Sequence, residues 1–125
     1  MSTPEKTILI IEDEADLRDA LATTLTYEHY TVVQAADGEV GIELALLHKP
    51  DLILLDIIMP KVDGIAVLKR LRADEWGTHA KIIVMTVLDD LEKIAEVVEA
   101  GGDEYIVKTN MTLGSIVEKI KAKLG

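Results

Sequence analysis

Short, continuously apolar runs alternate with longer stretches in which apolar residues return every three or four positions, and this alternation occurs five times. The runs Thr7–Ile11, Tyr30–Gln34, Leu52–Leu55, Lys81–Met85 and Glu104–Val107 read as strands. Segments such as Ile8-Leu9-Ile10-Ile11 are apolar at every position rather than alternately, as expected of strands covered on both faces. Between them lie helical periods. Leu17, Leu21 and Leu25 mark the first, with Asp16, Arg18 and Asp19 left for its wet side. Val40, Ile42, Leu44 and Leu47 mark the second, and Ile65, Leu68 and Leu71 the third, against Lys69, Arg70 and Arg72. Leu91, Ile94, Ala95 and Val98 predict the inner face of the fourth, which Gly101-Gly102 should stop. Leu113, Ile116, Ile120 and Leu124 mark the fifth, with Thr112 placed to cap it.

A strand-helix unit repeated in this way predicts an α/β fold, a doubly wound five-stranded parallel sheet of (βα)5 type with right-handed crossovers. With 125 residues, the expectation is one domain spanning positions 1–125. No apolar stretch approaches the roughly 20 residues needed to cross a bilayer, and Met1 to Thr7 does not resemble a signal peptide. The absence of cysteine removes thiol chemistry and disulfide frameworks, and it fits a reducing, cytoplasmic setting. A formal net charge of −10 argues against direct binding to nucleic acid.

In a doubly wound sheet the working crevice lies at the carboxyl ends of the strands. Glu12-Asp13-Glu14 follows the first predicted strand, Asp56 the third, Thr86 the fourth and Lys108 the fifth. Singly, each has an ordinary explanation. Glu12 or Glu14 serves as a helix-start acid, Asp56 as a loop cap or a salt-bridge partner of Lys108, Thr86 as a turn residue and Lys108 as a surface lysine. Together they place several carboxylates, a hydroxyl and an ammonium at one sheet edge. Clustered carboxylates repel unless a cation neutralises them, and hard oxygen ligands favour Mg²⁺. Such a site suits phosphoryl transfer to a carboxylate nucleophile, which needs alignment and neutralised oxygen charge.

These residues resemble the response-regulator receiver family from about Lys6 to Leu124. The resemblance rests on Glu12-Asp13, on Asp56-Ile57-Ile58-Met59-Pro60 with Gly64 following, on Thr86, and on Ala100 to Tyr105 leading to Lys108. It implies a flavodoxin-like, CheY-like fold with strand order 2-1-3-4-5 and makes Asp56 the phosphoacceptor. Asp13, Asp56 and the backbone carbonyl of Ile58 would be Mg²⁺ ligands, with Glu12 acting through metal-bound water. Lys108 would pair with Asp56 or with the incoming phosphoryl oxygen. Thr86 would swing toward that oxygen, and Tyr105 would turn inward behind it, shifting the surface around helix four, strand five and helix five. The implied donor is a histidine kinase or a phosphotransfer protein, with a downstream protein, unidentified, docking on the shifted face. The chain would be a monomer or a dimer formed on phosphorylation.

The sequence departs from the family pattern in places. Thr109-Asn110 stands where a proline, joined by a cis bond, usually follows the lysine. A non-proline cis bond costs about 3 kcal/mol, which opens a trans route for the loop, and the sequence leaves the Lys108-Thr109 peptide open between the two. Ile58 cannot hydrogen-bond a hydrolytic water, and Val87 and Leu88 are bulky neighbours of Thr86; both features are expected to lengthen the acyl phosphate lifetime. Trp76, in the Arg72–Ala80 connection, reads as a local staple or surface contact, and His29, His48 and His79 as scattered surface or loop residues. Competing readings are a receiver that is part of a longer regulator or hybrid histidine kinase, a small phosphatase with Asp56 as nucleophile, a flavodoxin-like electron carrier and a degenerate receiver. Ile58 lies where such a phosphatase carries a second acid, and the chain lacks a flavin's phosphate loop and stacking aromatics. The intact acid set weighs against degeneracy, and the start at Met1, with no trailing linker, favours a stand-alone protein.

Overall fold

The computed structural model describes residues 5–57, 63–86, 91–102 and 104–125. The predicted features at Ile58, Met59, Pro60, Val87, Leu88 and Asp103, and the Leu91 side chain, lie outside the described residues. The elements run β1 Thr7–Ile11, α1 Ala15–Tyr27, β2 Thr31–Ala35, α2 Gly38–His48, β3 Leu52–Asp56, α3 Gly64–Ala73, β4 Ile82–Thr86, α4 Leu91–Glu99, β5 Glu104–Val107 and α5 Leu113–Leu124. Three-residue 3-10 turns occupy Gly77–His79 and Lys108–Asn110. All four strand pairings are parallel, in the order β2-β1-β3-β4-β5.

The alternation of side chains along each strand splits the core into two layers. Ile8, Ile10, Leu52, Leu54, Ile83, Met85 and Ile106 pack with Leu21 and Leu25 of α1 and Ile116 and Ile120 of α5. Leu9, Ile11, Ile53, Leu55, Ile82 and Val84 pack on the other face with Ala45 of α2, Leu68 and Leu71 of α3 and Val97 of α4. The three central strands are buried on both sides, which accounts for their uninterrupted apolar runs. β2, at the sheet edge, is buried only at Ala35.

Two helices present a different face from the one expected. In α2 the buried residues are Gly38, Gly41 and Ala45, while Ile42 and Leu44 are only partly buried and Leu47 is 74% exposed. Close approach decides this orientation: a Cβ on Gly41 would sit 2.6 Å from Cδ1 of Ile11. Among the described side chains of α4, Val97 and Ile94 face inward, buried and partly buried, whereas Ala95 is exposed and Val98 is 60% exposed. Val97 faces the core beside Val84 and Ala100, and its carbonyl accepts from the Gly102 amide at 2.9 Å. Gly101, at φ 98°, turns the chain out of the helix.

Three strands also shift their bounds by a residue, and the shift bears on the site. β2 and β4 begin and end one residue later than expected, and β3 extends through Asp56. The parallel ladder pairs Asp56 with Met85 and Thr86 with Val107. Both residues are therefore fixed by the sheet rather than carried on a loop. Thr112 caps α5 reciprocally with Ser115, at 3.1 and 2.9 Å. Trp76 is partly buried against the core, with its amide donating to Asp74 at 2.9 Å.

Candidate functional site

The ends of β1, β3, β4 and β5 meet at one sheet edge, because the strands are parallel and in close register. Glu12 extends β1 by one bond, its amide donating to Ala35 at 3.1 Å. Its side chain points the same way as Ile8 and Ile10, over the α1/α5 layer, and Asp56 follows Leu52 and Leu54 in the same direction. Lys108 enters from the turn after β5. Glu12, Asp13 and Asp56 each offer a carboxylate oxygen, all within 4.8 Å of one another. Glu12 is wholly buried, Asp56 is 3% exposed and Asp13 is exposed.

Carboxylates this close repel by about 3–4 kcal/mol per pair at an effective dielectric constant near 20. The Lys108 ammonium offsets part of this. Its Nζ lies 2.6 Å from Oε1 of Glu12 and 3.3 Å from Oδ2 of Asp56. Burial acts to lower the Lys108 pKa, but the hydrogen bond to Glu12 and the charges of Asp56 and Glu12 outweigh it, so the pKa is raised. The lysine is thus held as a cation. Lys108 is placed more tightly on Glu12 than on Asp56, its expected partner. No cis peptide occurs among the described residues, so Lys108-Thr109 is trans.

Among the described residues, one lysine against three carboxylates leaves net negative charge among oxygen ligands, a donor set suited to a small divalent cation. Asp13 is the exposed member, whereas Glu12 is committed at both oxygens: Oε1 to Lys108 and Oε2 to the Glu14 amide at 3.2 Å. The Ile58 carbonyl, expected to be a third ligand, lies outside the described residues. Gly64 sets the position of the far wall. Its amide donates to Ile57 at 2.9 Å, and a Cβ would meet Cα of Ile57 at 2.4 Å and the Asp56 carbonyl at 2.5 Å. Only glycine lets α3 start this close to the backbone that carries Asp56.

Thr86 points to the other face of the sheet, following Ile82 and Val84. It is 3% exposed and borders an apolar crevice with Ile57, Ile94, Val97 and Tyr105 that leaves no room for a water molecule. Tyr105 is 39% exposed at its rim. The described histidines stand apart from the acidic cluster: His29 follows α1, His48 ends α2 and His79 lies in the 3-10 turn.

Residues 8–121 match the family described as Response regulator receiver domain. This chain belongs to that receiver family. The receiver is 41% identical over 108 residues to the probable transcriptional regulator ycf27 of Guillardia theta, a match covering 86% of this chain and 41% of that protein. It is 39% identical over 101 residues to the DNA-binding dual master transcriptional regulator RpaA of Synechocystis, covering 81% of this chain and 42% of that one. The chain therefore spans about two-fifths of the length of these curated relatives. Among solved structures, a CheY-like response regulator receiver domain protein from Methanospirillum hungatei superposes with a TM-score of 0.90 at 30% identity, over 97% of this chain and 94% of that one.

One residue of the receiver's site was not legible in the sequence. Arg18, expected on the wet side of α1, is partly buried, and its Nη1 donates to the Glu12 backbone carbonyl at 2.9 Å. An arginine within an acidic helix start reads as an ordinary surface cation; only the turn of the chain shows where it reaches.

Proposed function

We propose that this receiver domain accepts a phosphoryl group on Asp56 from a phosphohistidine donor, with Mg²⁺ bound beside it. The observation that carries this reading is the convergence of Asp56, Asp13, Glu12 and Lys108 at one sheet edge. An oxygen of the Asp56 carboxylate attacks phosphorus, the phosphorus–nitrogen bond of the donor breaks, and its electron pair returns to the imidazole. Fixed in the β3 ladder, Asp56 needs little reorganisation to present that oxygen. Asp13 and Asp56 would hold the metal directly, with Glu12 supporting it through water and the Ile58 carbonyl completing the set. Bound Mg²⁺ supplies neutralisation of the charge on the transferring oxygens. Lys108, held as a cation between Glu12 and Asp56, is positioned to take a phosphoryl oxygen as the transfer proceeds. Thr86 then turns toward the phosphoryl group and Tyr105 moves into the crevice behind it, altering the α4-β5-α5 surface.

The donor would be a histidine kinase or a phosphotransfer protein. A groove of about 400 Å³ beside the site, lined by Leu17, Met111 and Leu113 and bordered by Glu14 and Lys108, supports docking there. Among the described residues no helix is long and apolar enough to cross a membrane, and a cytoplasmic location is part of this proposal. Catalysis in this reading is confined to phosphorylation and dephosphorylation of the chain's own Asp56, within one receiver domain. A second reading, that the receiver is part of a longer regulator, is favoured by the two-fifths coverage of its curated relatives.

The test is incubation with acetyl phosphate and Mg²⁺ followed by intact mass measurement. A single, acid-stable, hydroxylamine-labile phosphoryl adduct is expected, absent in Asp56→Asn. No adduct in the wild type overturns the proposal, and turnover of many equivalents would mark a phosphatase instead.

A further inference from the structure

Asp13 carries an exposed carboxylate, yet the backbone that bears it is tied on both sides. On one side the Glu12 amide donates to Ala35 at 3.1 Å and the Glu12 carbonyl accepts from Arg18 Nη1 at 2.9 Å. On the other, the Glu14 amide donates to Glu12 Oε2 at 3.2 Å and the Glu14 carbonyl accepts from the Arg18 amide at 2.9 Å. Arg18 therefore closes the loop twice, with its side chain before Asp13 and its backbone after it. The side-chain bond is the informative one. Any residue in the first turn of α1 makes the backbone bond, but only a long side chain with a donor at its tip reaches back six residues to Glu12.

We infer that Arg18 is a positioning residue for the metal site: its guanidinium, by holding the Glu12 carbonyl, fixes the peptide that aims Asp13 at the cation. This rests on the reading of Asp13 and Asp56 as Mg²⁺ ligands. The inference opposes what charge alone predicts. A cation beside a dication site repels the metal, so removing Arg18 should tighten binding if its role is electrostatic. If its role is positional, removing it loosens binding, because a carboxylate ligand left unaimed loses entropy on binding that the fixed loop has already lost.

The sign of the change decides between the two. Binding of Mn²⁺, competed by Mg²⁺, is measured from the free-ion EPR signal on the whole chain with no phosphodonor present. Arg18→Met is expected to weaken binding by about tenfold, at the low end of what outer-shell partners contribute. Arg70→Met, which removes a cation from the exposed face of α3, is expected to bind at the wild-type level or slightly tighter. Arg18→Met binding as tightly as the wild type, or more tightly, overturns the inference. Thermal unfolding without metal checks that the variant is folded. If it is not, Arg18→Gln decides: it removes the charge and its amide donor sits too close to the backbone for the same reach, so weaker binding supports positioning and binding at or above the wild-type level overturns it. A wild type that binds no metal overturns the metal reading and this inference with it, a result distinct from a wild type that binds and an Arg18→Met that binds equally.

Discussion

The ends of β3 and β4 are neighbours in the sheet, yet they are built from opposite materials. At the end of β3, Asp56 stands among carboxylates and an ammonium held by directional bonds, from Lys108 to Glu12 at 2.6 Å and from Glu14 to Glu12 at 3.2 Å. At the end of β4, Thr86 faces an apolar crevice of Ile57, Ile94, Val97 and Tyr105. The two side chains leave the sheet on opposite faces, as one step along a pleated strand requires. The difference teaches where fixity and freedom lie. Polar bonds specify distance and angle, so they hold reacting groups in place. Apolar contacts specify little beyond contact, so the crevice is the side of the molecule that suits the proposed movement of Thr86 and Tyr105.

The largest way to break this contrast is to remove the central cation. Lys108→Met leaves Glu12 buried without its charge partner and should cost about 3 kcal/mol of stability by chemical denaturation. The loss should shrink when Mg²⁺ is added, because a second cation then offsets the same carboxylates. A loss indifferent to Mg²⁺ would mean the metal does not share this cluster. The wild type should lose the same interaction only in strong base. The Lys108 pKa is raised on folding, so its contribution is full below the ordinary lysine value and fades as pH climbs through the higher folded value.

Gly64→Ala tests the fixed side through its wall. With no room for a Cβ against Ile57 and the Asp56 carbonyl, either α3 or the end of β3 must shift. A destabilisation of about 1–3 kcal/mol is expected, with slower phosphorylation by acetyl phosphate. Unchanged stability and rate would show that the loop after Asp56 is not held as described. The smallest effect belongs to the crevice. Val97→Ala should cost about 1–2 kcal/mol while leaving Mg²⁺ affinity unchanged. A change in metal affinity would erase the division between the two regions.

Much of the fold was readable because its strands are buried on both faces, and nothing but a continuous apolar run satisfies that environment. Helix faces were readable only where the apolar residues form one stripe. Leu21 and Leu25 of α1 and Leu68 and Leu71 of α3 are buried as their spacing predicted. In α2 apolar residues fill two faces, Val40, Leu44 and Leu47 on one and Ile42, Ala45 and Leu46 on the other, and the close approach of Gly41 to Ile11 decides the orientation, a matter of fit that composition does not carry. In α4 the adjacent Val97 and Val98 offered two nearly equivalent faces, and the sheet chose Val97. The acidic edge was legible because its residues each follow a strand. The bonds joining them were not: Lys108 and Glu12 lie 96 positions apart. Arg18 reaches a backbone atom, which leaves no mark in the pattern of side chains.

The central claim concerns one carboxylate, and locating the phosphoryl group tests it most directly. Phosphorylation with acetyl phosphate and Mg²⁺, reduction with borohydride and peptide mapping convert an aspartyl phosphate to homoserine at the residue that carried it. The account predicts homoserine at position 56 alone. Homoserine at position 13, or at no aspartate, would contradict it.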